Sequence, residues 1–128
     1  MSNKVNKKFL EEMFSNAPQT TLGIKKILKL DTKKGIASAI YSAKKNMCHS
    51  GNIVQGGFIT GWLDAVMALA CMCKVGSDVL VLSLEIKTTF IKSINPIIPA
   101  RVRPQLTCCF INLVLSGPMT IGKSDPFN

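Results

Sequence analysis

The stretch Gly56-Gly57-Phe58-Ile59-Thr60-Gly61-Trp62-Leu63-Asp64-Ala65-Val66-Met67-Ala68-Leu69-Ala70 decides how this chain folds. Its apolar residues fall on nearly every face of a helix, and a helix apolar all round has to be buried. One element of this kind needs a curved sheet to hide it, so the fold class expected is α+β, an antiparallel β-sheet wrapped around a long central α-helix. The same segment, extended to Val75, is barely long enough to cross a bilayer and carries Asp64 inside it. No membrane association is therefore expected.

On the N-terminal side, Asn6 to Phe14 places Phe9, Leu10, Met13 and Phe14 on one side of a short amphipathic helix. Glu11 and Glu12 interrupt it too early for a signal peptide. From Leu22 to Tyr41 two extended stretches flank the polar corner Asp31-Thr32-Lys33-Lys34-Gly35, which suits a hairpin turn. A loop from Ser42 to Gln55 then leads into the central helix. Beyond Gly76, which ends that helix, Asp78 to Ile91 alternates as one long strand should, with Val79, Val81, Ser83, Glu85 and Lys87 against Leu80, Leu82, Leu84 and Ile86. A further β-compatible run, Leu106 to Leu115, supplies one long strand or two short ones. The length of 128 residues fits a single domain spanning 1–128.

Composition adds three expectations. A chain that is 47% hydrophobic with mean hydropathy +0.27 has more apolar surface than one small core absorbs, which points to a homo-oligomer. Sixteen Lys and Arg against seven Asp and Glu give a formal charge of +9, a surface that attracts phosphates. The basic residues are spread rather than clustered and aromatics are only 6%, which argues against specific nucleic-acid recognition. Five cysteines, an odd number with Cys71, Cys73, Cys108 and Cys109 inside apolar runs, read as free thiols of a cytoplasmic protein.

Asp64 is the exception in the apolar helix, and an ionised carboxylate there is costly unless paired or used. Gly56 and Gly57 open the helix, where backbone N–H groups lack intrahelical partners and the positive end of the dipole faces outward. With no side chain in the way, a carbonyl oxygen that gains negative charge during acyl transfer could approach the Gly56 amide closely. The two glycines also serve simply as a tight turn, with Gly57 and Gly61 allowing close packing. Eight residues separate Gly56 from Asp64, about 12 Å along a helix. Two antiparallel helices across a two-fold axis would bring Asp64 of one subunit to Gly56 of the other. His49 and Gln55 lie in the preceding loop within reach of substrate or water. With a single histidine, a metal site is not expected.

The run from His49 through Gln55-Gly56-Gly57 to Asp64-Ala65-Val66-Met67-Ala68 resembles the signature of the PaaI-type hotdog-fold acyl-CoA thioesterases. Leu22-Gly23 and Leu82-Ser83-Leu84-Glu85-Ile86-Lys87 resemble flanking parts of that family, over about Pro18 to Pro96. The resemblance implies a hotdog fold and hydrolysis of an acyl-CoA thioester to free acid and CoA by a homodimer or homotetramer. No cofactor is implied, because CoA is part of the substrate. By the same resemblance Asp64 is the general base or nucleophile, Gly56 the oxyanion donor, Gln55 a substrate-positioning residue, and Ser83 a hydroxyl that orients the attacking water. His49 stands where many relatives have asparagine. Lys87 and Lys92 would meet the CoA phosphates. From about residue 97 the chain is atypical for the family, and a truncated end is one reading. Two alternatives are an acyl-CoA-binding hotdog protein without turnover and a basic nucleic-acid-binding protein.

Overall fold

The computed structural model describes residues 6–76, 78, 80–96, 100–107 and 110–116, with Val102 the one side chain described beyond residue 96. Cys108, Cys109 and the tail 117–128 lie outside the described residues.

Helix α1 (Lys7–Phe14) starts where Asn6 accepts a hydrogen bond from the Phe9 amide at 3.1 Å. It buries Leu10 and Phe14 and leaves Phe9 exposed, so its apolar face is narrower than its sequence pattern. Strands β1 (Ile24–Asp31) and β2 (Ile36–Tyr41) form the expected hairpin, pairing Leu30 with Ala37 and Asp31 with Ile36. The Asp31 Oδ1 accepts from the Lys34 and Lys33 amides at 3.0 and 3.1 Å and closes the corner as an Asx turn. These amides, Lys34 first, hold its carboxyl below the usual carboxylate range against a smaller opposing effect of desolvation. The connecting loop contains a short 3-10 turn (Lys45–Met47) and a two-residue pairing of β3 (Cys48–His49) with β4 (Ile53–Val54).

Helix α2 (Gly56–Val75) is the core. It ends at Gly76, whose φ of 116° is open to glycine and costly for other residues. Strands β5 (Ala100–Thr107) and β6 (Phe110–Ser116) complete a four-stranded antiparallel sheet of order β1-β2-β5-β6. Against this sheet Trp62, Leu63, Val66 and Leu69 of α2 join Ala37, Ala39, Tyr41 and Val102 in one buried cluster. Each large side chain hidden this way contributes about 1.5–3 kcal/mol. By length and composition alone α2 could cross a membrane, but it serves here as the core helix. Trp62 stacks on Tyr41 with ring centroids 5.5 Å apart, and its Nε1–H donates to the Leu22 carbonyl at 2.7 Å. The Tyr41 hydroxyl donates to Gln19 Oε1 at 3.2 Å, so two polar contacts fasten the connection between α1 and β1 onto the core.

Two expectations change. Between Asp78 and Ile91 no strand forms among the described residues, and Leu80, Leu82 and Leu84 stand 81%, 78% and 102% exposed. Alternation specifies which side chains share a face, but a strand also needs a neighbour for its N–H and C=O groups, and here the segment lies along α2 instead of a sheet edge. The C-terminal strand pair also begins earlier than Leu106. Pro104 lies inside β5 without an amide to donate, and the β2–β5 register keeps its phase across it, from Ile36↔Gln105 to Ala39↔Val102.

Candidate functional site

The site is organised by the start and third turn of α2. Gln55 is its N-cap, in extended conformation with an exposed side chain that makes no capping bond. Its carbonyl accepts from the Phe58 amide at 3.0 Å, and its own amide donates to the Met47 carbonyl at 2.9 Å, which fixes the entry to the helix. Gly56 and Gly57 follow as the first two helical residues, positions whose N–H groups have no intrahelical acceptor. Gly57 is exposed, and a Cβ built on it would meet no described atom within 4 Å. Gly61, by contrast, is closely packed: its Cβ position lies 3.1 Å from Leu22 Cδ2. Of the two glycines read as packing positions, only Gly61 has that role among the described residues.

Asp64 lies two turns further on, half-buried, and the Ser83 hydroxyl donates a hydrogen bond to its Oδ1. A carboxylate in an apolar helix needs such a donor, because desolvation without one disfavours the charged form. Asp64 and Ser83 were expected at one site, and the chain brings them together.

The segment 80–96 holds the remaining groups. Its Ser83 is at Asp64 and its Phe90 is at Gly56, so it runs back along α2 from the third turn to the first. Farther on, the Ile94 carbonyl accepts from the Val54 amide at 2.9 Å, and Val81 and Ile94 pack against the core at either end. The Phe90 ring meets Gly56 end-on, its Cζ 2.9 Å from where a Cβ would be. Thr88 Oγ1 is buried with no hydrogen-bond partner among the described residues. Phe90 was missed in the sequence reading. Its one distinguishing signal is that it is the sole aromatic residue between 79 and 96.

His49 is exposed on β3 with Nδ1 2.8 Å from the Ser50 carbonyl, a contact that requires the proton on Nδ1. A neutral His49 therefore offers an acceptor at Nε2. Lys87 and Lys92 are exposed in the same segment as Ser83 and Phe90, and neither forms an ion pair among the described residues. The segment thus carries two exposed cationic side chains without an ion pair among the described residues, on the same stretch of chain as Ser83.

No protein-family model matches the chain, and a search of curated proteins also returns no match. Solved structures do match, and they define the class: this is a hotdog fold, an antiparallel sheet against one long helix. A conserved protein of Pseudomonas aeruginosa, PA5202, shares it with a TM-score of 0.68 and 20% identity, over 83% of this chain and 92% of that one. The Escherichia coli PaaI protein, from the phenylacetic acid degradation operon, gives a TM-score of 0.63 at 16% identity, over 84% of this chain and 78% of that one. A candidate thioesterase of Ralstonia eutropha, described as phenylacetic acid degradation-related, gives 0.61 at 18%, over 85% and 95%. The likeness to PaaI-type proteins seen in the sequence thus holds at the level of the fold.

Proposed function

We propose that this chain is an acyl-CoA thioesterase. The observation that carries the reading is a carboxylate, Asp64, set in the apolar core helix of a hotdog fold and hydrogen-bonded by Ser83. In the proposed reaction, Asp64 takes a proton from water as the water oxygen attacks the thioester carbon, or attacks that carbon itself. The carbonyl oxygen, now negative, is held by amides at the start of α2 of the second subunit. With water as the nucleophile, collapse expels CoA as the thiol and leaves the free acid, whereas direct attack expels CoA thiolate and leaves an acyl-Asp64 anhydride, which water hydrolyses to the acid while the thiolate takes up the proton released. Ser83 orients the attacking water or the carboxylate, Gln55 positions substrate, and Lys87 and Lys92 meet the CoA phosphates. CoA enters as part of the substrate, and no separate cofactor takes part.

The working unit is a homodimer or homotetramer. Support comes from Leu80, Leu82 and Leu84, exposed side by side on a segment whose alternation suits a strand. A cytoplasmic setting is supported by Cys48, Cys71 and Cys73, which are free thiols. The name of the Ralstonia eutropha protein lends the thioesterase reading further support.

Asp64→Asn tests the proposal. It keeps the side chain's shape and an oxygen for Ser83 but removes the base, and thiol release from a panel of acyl-CoA esters should fall roughly 10²–10⁴-fold with the thermal midpoint nearly unchanged. Retained turnover would remove Asp64 from the mechanism. A second reading, acyl-CoA binding without turnover, is favoured by the His49 ring, which turns its Nδ1 proton to Ser50. Binding of CoA esters with no thiol released would decide for it.

A further inference from the structure

An aromatic ring is expected to bury most of its surface, and Phe90 does not. It is 53% exposed, although its tip is pressed onto the start of α2. The contact exists because Gly56 has no side chain: ring atoms Cζ, Cε2 and Cε1 lie 2.9, 3.3 and 3.4 Å from the Cβ position. Immediately beside it, Gly57 opens on space in which no described atom comes within 4 Å of its own Cβ position. Among the described residues the mouth of the helix therefore has an apolar wall, an aromatic ring whose flank is exposed, next to an open side. Phe90 also shares a short segment with Ser83, the residue that holds Asp64, so one piece of chain touches both the start and the third turn of α2.

We propose that Phe90 is a specificity-determining residue. In the thioesterase reading on which this rests, the acyl group lies along the free flank of the ring once the thioester carbonyl is seated at the helix start. The first few carbons of the acyl group cover ring surface that is otherwise wet. A buried Phe hides 150–250 Å². The first carbons of an acyl chain on the half-exposed flank remove on the order of 60 Å² of combined apolar surface from water, which corresponds to roughly tenfold in kcat/KM. An acetyl group is too short to reach most of that flank, so selectivity rises with acyl length because of this ring.

The experiment compares wild type, Phe90→Ala and Phe90→Leu on acetyl-, butyryl- and hexanoyl-CoA, and measures binding of the matching S-alkyl-CoA thioethers, which cannot be hydrolysed. Expected is a loss of roughly tenfold in kcat/KM for hexanoyl-CoA in Phe90→Ala, less than twofold for acetyl-CoA, and recovery of most of the difference in Phe90→Leu. An equal fall across all three esters, or an unchanged preference for length, overturns the proposal, since a ring that merely braces Gly56 would affect every substrate alike. If the wild type hydrolyses none of the esters, the thioesterase reading fails by itself. The thioethers then decide for Phe90: a length-dependent loss of affinity in Phe90→Ala supports it, while a length-independent loss, or no binding at any length, overturns it.

Discussion

Replacing Gly57 with Ala separates what the helix start does for the fold from what it does for a ligand. The added methyl group meets no described atom of the chain within 4 Å, and Gly57 has no positive φ to strain. In stability the change should therefore act through propensity alone. Ala is favoured over Gly in a helix by up to about 1 kcal/mol, and at the exposed second position roughly half of that is expected. For a domain of this size that gain raises the thermal midpoint by about 2 °C. Function should move the other way. A carbonyl oxygen bound by the first amides of α2 must approach to about 2.7–3.1 Å, and its acyl group would then occupy the space that the methyl fills. Overpacking of that kind costs about 1–3 kcal/mol, which lowers kcat/KM roughly 5- to 150-fold. The assay is thiol release from acyl-CoA esters beside a thermal melt of the same sample. Unchanged turnover in a more stable protein would mean that no substrate comes to this face. A less stable protein would mean that the space beside Gly57 is already filled.

Two further outcomes follow from the scaffold. Gly23 has φ +84° with its Cβ position 2.3 Å from the Ser42 carbonyl oxygen, while its own carbonyl accepts from the Ser42 amide at 2.9 Å. Gly23→Ala should cost at least about 2–3 kcal/mol by urea unfolding, from left-handed strain plus a weakened hydrogen bond, and a cost below about 1 kcal/mol would refute that contact. Burial raises the Tyr41 pKa well above its ordinary value of 10.0. Because the folded state holds this proton more tightly than the unfolded state does, stability from Tyr41 is complete below pH 10 and falls as pH rises above it, by up to about 1.4 kcal/mol per pH unit. Tyr41→Phe should flatten that slope, and an equal slope in both proteins would place the tyrosine in contact with water.

The helix α2 was readable from its residues because an apolar surface on every face has one physical outcome, burial. The hairpin was readable because Asp31 and Gly35 carry their own turn chemistry, which needs nothing from elsewhere in the chain. Residues 78–91 were not, since alternation leaves open whether a partner edge is present. The first half of β5 was not readable either, since its pairing comes from β2 some 60 residues earlier, beyond the reach of local pattern. At the candidate site, Asp64 announced itself as a charge in the wrong solvent, and Ser83 entered through family likeness. Phe90 could not be found that way: its meeting with Gly56 joins positions 34 residues apart, and no helix or strand forms around Phe90 among the described residues 80–96.

The sole tryptophan of the chain is Trp62, fully buried and stacked on Tyr41. This arrangement gives the protein a built-in optical reporter. Its emission should lie toward the blue in the native state and shift red on denaturation, and excitation energy from the lone tyrosine passes to an acceptor only 5.5 Å away. Because the indole N–H is tied to Leu22, the same signal senses whether the chain ahead of β1 is seated. Folding of any variant can thus be followed without a label and read independently of the chemistry at Asp64.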